Sequence, residues 1–338
     1  MSSSQFTVYS SSDAGAGAPG VMFGAAGDLI RVMDACLVNG YTGKTAAGWS
    51  KPIANSGTNT ACYKPGVGSS NMTLFVNDNG PNGSSTYKEA WVTGWESISS
   101  LQSPVGTGAG QFPTPAQSLT TGHLVWRKSV TADNTNGRSW LILADQYTFY
   151  GFFSTGDTAG VYYGGMFGDL FSMNGASDPY RCIIHGRNTE NSAAATITSA
   201  WDATGHLGVT TNTSGMFMPG TFGGSSGSLY ANQMGDVGKI GSSVSSVSNC
   251  SLVGGVQTPN GPDNSLYLSP LWVYEVAALS IRGRLRGLYH VCHPLASFSD
   301  GQTFSGANDY AGKSFRVVLK GPNNGFLAAE TSATVETN

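Results

Sequence analysis

Charge is what this sequence has least of. Only 11% of its 338 residues are Asp, Glu, Lys or Arg, and 17 basic against 20 acidic residues leave a net charge of −3. Such a chain carries no long-range field to gather DNA, RNA or acidic lipid, so neither a nucleic-acid nor a membrane partner is expected. Long apolar runs are missing too. No stretch approaches the roughly 18 apolar residues of a membrane span. The start, Met1-Ser2-Ser3-Ser4-Gln5, lacks the basic and apolar segments of a secretory signal, so a protein made in the cytoplasm that stays soluble is expected. Cysteine is sparse: Cys36, Cys62, Cys182, Cys250 and Cys292 are odd in number and share no spacing. That excludes a disulfide framework and predicts buried, reduced thiols.

What the chain does have is 47 glycines, abundant Ser, Thr and Asn, and 11% aromatic residues. Short strands joined by tight turns suit this composition, and the aromatics keep it outside the disordered class. The expected fold is mainly β, α+β at the N-terminus, with antiparallel sandwich-like sheets, one N-terminal helix packed on a sheet, and long Gly/Ser-rich loops.

The one convincing helix is expected at about residues 25–38, where Ala25, Ala26, Leu29, Ile30, Met33, Cys36 and Leu37 recur at steps of three and four. Asp28 suits its first turn, and Asn39-Gly40 can end it. Three units are expected. Residues 1–104 form an α+β unit, 105–117 a Pro/Gly linker around Pro113 and Pro115, and 118–338 a β domain interrupted by a Gly/Ser-rich insertion at about 188–264.

Several motifs invite a chemical reading and fail on context. Gly15-Ala16-Gly17-Ala18-Pro19-Gly20 has dinucleotide-loop spacing, but Pro19 and further residues separate it from the helix and no alternating βα units follow. Gly43-Lys44-Thr45 follows a helix where a phosphate loop precedes one, and Gly223-Gly224-Ser225-Ser226-Gly227 lacks the strand-to-helix elbow of a hydrolase serine. Cys182 with His185, and His290 with Cys292 and His293, are zinc-capable residue types at spacings that match no common structural zinc site. Asp145, Asp157, Asp169 and Glu275 border aromatic strands, as sugar-handling acids do, yet nothing marks a pair. No catalytic residue, cofactor or metal is assigned.

The segment Ile281-Arg282-Gly283-Arg284-Leu285-Arg286-Gly287-Leu288-Tyr289 places three arginines on one face of a strand. They repel unless carboxylates, phosphate or a partner meet them. Arg282, Arg284, Arg286 and Tyr289 are therefore expected to form a docking strip for a neighbouring subunit, the alternative being a solvated strand face whose stems cover apolar surface.

Val8-Tyr9-Ser10-Ser11-Ser12-Asp13-Ala14-Gly15, Leu37-Val38-Asn39-Gly40-Tyr41, Gly48-Trp49-Ser50-Lys51, Arg282 to Tyr289, Asp300-Gly301-Gln302-Thr303-Phe304 and Tyr310-Ala311-Gly312-Lys313-Ser314-Phe315 resemble stretches of virion structural proteins of tailed bacteriophages. The likeness touches both ends of the chain, supplies no catalytic residues, and fixes no position in the particle. It implies a non-enzymatic structural component of the virion, in many copies, at the tail, neck or baseplate. Its partners would be other virion proteins and copies of itself. Capsid decoration, or a virion protein that binds a host-surface glycan, stands as an alternative, and a glycan-active β-domain enzyme as a competing class.

Overall fold

The computed structural model describes residues 5–79, 88–102, 104–117, 122–129, 134–154, 162–187, 214–233, 268–275, 280–291, 299, 301–320 and 326–332. The fold is mainly β, with antiparallel sheets, one helix, and a main sheet curled into a half barrel. In chain order the strands are β1 (Thr7–Ser10), β2 (Ser50–Asn55), β3 (Thr60–Lys64), β4 (Thr73–Asn77), β5 (Lys88–Ser100), β6 (Thr107–Phe112) and β7 (Leu124–Ser129). Next come β8 (Trp140–Ala144), β9 (Thr148–Ser154), β10 (Tyr162–Asp169), β11 (Phe171–Ser172), β12 (Cys182–Arg187), β13 (Ser214–Gly220) and β14 (Ser226–Gln233). The last are β15 (Leu268–Glu275), β16 (Ser280–Val291), β17 (Thr303–Ser305), β18 (Ser314–Lys320) and β19 (Phe326–Glu330).

One ladder runs β2–β3–β4–β5, and β5 then pairs with β7 along its first half and with β6 along its second. Another runs β1–β8–β9–β10–β12–β13–β14 and meets the first where Arg187 of β12 bridges Val125 of β7. From β14 the pairing passes to β15, β16, β19, β18 and β17, with β11 on the flank of β16.

The strands at the centre are buried on both faces, which is why they read as nearly continuous apolar runs. Trp140, Ile142, Phe149, Phe153, Phe167, Ile184 and Phe217 face one core. Their neighbours Leu143, Tyr150, Phe152, Met166, Ile183, Met216 and Met218 face another. The period of two divides each strand between the two cores. The first core holds the helix and the strands β3 to β5; the second holds Leu271, Val273, Leu285, Leu288, Val318 and Leu327 of β15, β16, β18 and β19.

Helix α1 (Asp28–Met33) continues as a π-helical turn over Asp34–Asn39 and ends where Gly40 takes a φ of 70°. It buries Leu29, Val32, Met33, Cys36 and Leu37, while Ala25 and Ala26 lie in the turn before it. Its N-terminus has no side-chain cap of its own, because Gly27 stands there with a φ of 83°. Asp78, just past β4, supplies the cap from across the core. Its Oδ2 accepts the N–H groups of Leu29 at 2.7 Å and Ile30 at 3.3 Å. Lys128 of β7 pairs with its Oδ1 and donates to the carbonyl of Ala25 at 2.6 Å. The helix is thereby tied to two strands at the end where its N–H groups are unsatisfied.

Two organisational expectations are corrected. Residues 107–112, placed in a linker, form β6, and Phe112 enters the first core, its ring over Gly94 and stacked on Phe167 with centroids 6.2 Å apart. One core runs from Tyr9 to Phe217, so no boundary between units falls at 105–117. Within the supposed insertion, β13 and β14 are members of the sheets, and the Gly/Ser run becomes their hairpin turn, closed by Thr221 N–H to Ser225 O at 2.9 Å. Residues 188–213 and 234–267, the rest of that insertion, lie outside the described residues.

Candidate functional site

The arginine strand β16 does meet carboxylates, and they belong to this chain. Arg282 is fully buried. Its guanidinium donates to Asp178 Oδ1 at 2.8 Å, to the carbonyls of Gly220 at 2.8 Å and Tyr180 at 3.1 Å, and to Glu275. Phe222 lies 5.7 Å beneath it, and its N–H also goes to Glu275. This one side chain joins β16 to β15, to the β13–β14 turn and to the loop before β12. Arg286 is also buried, donates to Asp145 Oδ2 at 2.8 Å, and lies 4.6 Å over the ring of Tyr147. Asp145 is further held by the N–H groups of Tyr147 and Thr148, both at 2.8 Å.

Arg284 is half-buried, 4.7 Å over Phe171, its cross-strand neighbour on β11. Tyr289 is buried edge-on against Tyr310 and Phe315, and its hydroxyl donates to Glu330 Oε2 at 3.1 Å. The expected docking strip is therefore corrected: Arg282, Arg286 and Tyr289 are turned into the chain. Opposite charge on neighbouring elements relieves the repulsion that an external partner was expected to relieve.

The candidate sugar-handling acids share this fate. Asp145 and Glu275 are the partners of Arg286 and Arg282. Asp169 is paired with Arg181 at 2.9 Å and accepts the N–H of Ser70 at 2.7 Å. Burial pushes the Asp169 carboxyl up, and the Arg181 charge opposes that. Asp157 lies outside the described residues. The aromatic strands β8 and β9 bury Trp140, Phe149, Tyr150, Phe152 and Phe153 in the two cores, so they present no stacking platform.

Cys182 and His185 sit three apart on β12, on opposite faces of the strand, and cannot ligate one ion. Burial raises the Cys182 thiol well above its usual range and pushes His185 down to about 3. The side chain of His290, and Cys292 and His293, lie outside the described residues. Among the described residues no group of three or more His, Cys, Asp or Glu is placed to hold a metal ion, and Cys36, Cys62 and Cys182 are buried free thiols.

The phosphate-like motifs are packing turns. The loop at Gly15 to Gly20 is pinned by Thr42 N–H to Ala16 O at 3.2 Å, and Lys44 donates to the carbonyl of Val8 at 2.7 Å. A groove of about 660 Å³ separates Gly17 to Pro19 from the outer side of the helix. Its charged groups are engaged: Arg31 with Asp28 at 2.7 Å, Asp34 with Lys51 at 2.5 Å and with the Tyr63 hydroxyl at 2.8 Å.

Sequence reasoning missed Asp78, Lys128, Asp178, Arg181 and the pair Arg127–Glu89, whose groups approach to 3.3 Å in full burial. A usable signal existed in Leu124-Val125-Trp126-Arg127-Lys128-Ser129. Adjacent charges in a strand point to opposite faces, so in a strand buried on both sides each needs its own carboxylate. No helix among the described residues is long and apolar enough to cross a membrane. Comparison with models of known protein families and with curated proteins finds no match to this chain.

Proposed function

We propose that this chain is a non-enzymatic structural subunit of a tailed-phage virion, present in many copies and associated with the tail, neck or baseplate. The observation that carries the reading is the use made of its charge. In a chain with so few charged residues, Asp78, Asp145, Asp169, Asp178, Glu89 and Glu275 are each bound to a basic side chain, and the pairs of Glu89, Asp78, Asp178 and Asp145 join elements 38 to 141 residues apart. These acids are neutralised as internal ties. The glycan-active reading needs a carboxylate pair over an aromatic cleft, and the residues considered for it, Asp157 apart, are those already engaged or buried in the cores. The resemblance at both ends of the chain supplies the virion context, and a subunit braced in this way suits repeated packing in a symmetric assembly.

The test is to purify the phage particles in whose infection the chain is made and to measure its copies per particle by quantitative mass spectrometry and imaging. Many copies at fixed positions on the tail, neck or baseplate are expected. Fixed positions on the shell would move the protein to capsid decoration, and sites at receptor-contacting tips to glycan binding. Absence from washed particles would overturn the structural reading.

A further inference from the structure

Between β16 and β19 lies a cavity that the ion pairs do not fill. Phe171 and Leu285 supply its apolar wall, and Arg284, Arg286, Tyr289 and Glu330 its polar one. It offers about 10 Å³ of room for the centre of a water-sized molecule. A site for one water needs roughly 10–15 Å³ on that measure and two to four polar partners. Glu330 is 1% exposed. Its Oε2 accepts from the Tyr289 hydroxyl at 3.1 Å and from Lys313 Nζ at 3.2 Å, whereas its Oε1 is buried with no hydrogen-bond partner. A bare carboxylate oxygen in the interior is costly, and such atoms mark places where a solvent molecule or ion belongs.

We propose that this cavity is a binding site for a single internal water molecule. The water donates one proton to Glu330 Oε1, directs the other to the oxygen of the Tyr289 hydroxyl, and accepts from a guanidinium N–H of the wall. The lining selects this ligand. A monatomic cation would share its wall with two arginines, a halide would face the bare carboxylate oxygen, and an organic solute exceeds the space. Water alone both donates and accepts within that volume. The site closes the hydrogen bonding of the β16–β19 junction, where Leu288 to His290 pair with Leu327 to Ala329.

The test combines a crystal structure of the full chain at a resolution that shows waters with magnetic relaxation dispersion of water nuclei in solution. One density peak about 2.6–3.2 Å from Glu330 Oε1 is expected. One long-lived water should be lost in Glu330→Leu and retained in Glu330→Gln, which keeps an acceptor. Should Glu330→Leu fail to fold, the intact chain and Glu330→Gln decide by themselves. A cavity with neither density nor a long-lived water would overturn the proposal, as would an anomalous peak at this position after a bromide soak.

Discussion

The two sides of the central sheet are braced by the same device built from different parts. On the helix side, one carboxylate and one ammonium, Asp78 and Lys128, hold the end of α1 in a fully buried position. On the β16 side, the guanidinium of Arg282 gathers two carboxylates and two carbonyls, again with no exposure. Lysine acts as a point charge and leaves the directional work to Asp78, which reaches two backbone N–H groups. Arginine brings a planar fork and directs its donors itself. The helix side is a charge that completes a helix terminus; the β16 side is a hub that fixes where four segments meet. Removing one partner of a buried pair strands the other, so both should be sensitive, and the hub more so.

The largest effect is expected at the hub. Arg282→Ala leaves Asp178 and Glu275 buried without their cation and should cost about 3–5 kcal/mol, read as a lowered urea midpoint. Arg282→Lys should recover little, because an ammonium cannot span the same acceptors. Wild-type stability in either variant would mean that the strand face is solvated. On the helix side, Asp78→Ala should cost about 3 kcal/mol, since it loses a cap and strands Lys128. Replacing both Asp78 and Lys128 by apolar residues should restore part of that loss and leave the cap deficit of about 1 kcal/mol. Burial pushes the Asp78 carboxyl up while Lys128 pulls it back, so this tie depends on the cation.

Acid should act through two buried histidines on the face of the sheet turned away from the helix core. Burial pushes His123 and His185 down to about 3 in the folded chain, against about 6.5 when unfolded. As pH falls through 6.5 the unfolded state takes up protons first. The stability these residues preserve is therefore complete above that value and declines steadily toward pH 3. At pH 4.5 the loss is about 2–3 kcal/mol per histidine. A melting temperature that is flat from pH 7 to 4.5 would contradict their burial, and His123→Gln should make the decline shallower. The smallest effect is expected at Arg31, whose side chain is 42% exposed beside Asp28. Arg31→Ala should change stability by less than about 1 kcal/mol, which separates surface pairs from internal ties in the same assay.

Periodicity carried much of the fold. Leu29, Met33, Cys36 and Leu37 were legible as one buried face, and Asp28 and Gly40 as the two ends. The apolar spacing predicts a start three residues early because Ala25 and Ala26 continue it, while Gly27, free to take a positive φ, begins the helix after them. Residues 105–117 looked like a linker because Pro113 and Pro115 follow closely on glycine-rich residues; Phe112 was the overlooked anchor. The arginine strand was legible as three charges needing counter-charges. Which way they face was not, since Asp145 and Asp178 lie 141 and 104 residues from Arg286 and Arg282, and no local spacing encodes that meeting. The cap from Asp78 was hidden for the same reason, 49 residues from Leu29.

The central claim is that the β16 arginines are internal ties, and a double-mutant cycle on Arg286 and Asp145 tests it most directly. Urea unfolding of Arg286→Met, Asp145→Leu and the double variant should give a coupling energy of about 2–3 kcal/mol, with the double variant more stable than the sum of the single losses allows. Small, additive losses with coupling near zero would show that the two groups do not meet in the folded chain, and would return the arginine face to the surface.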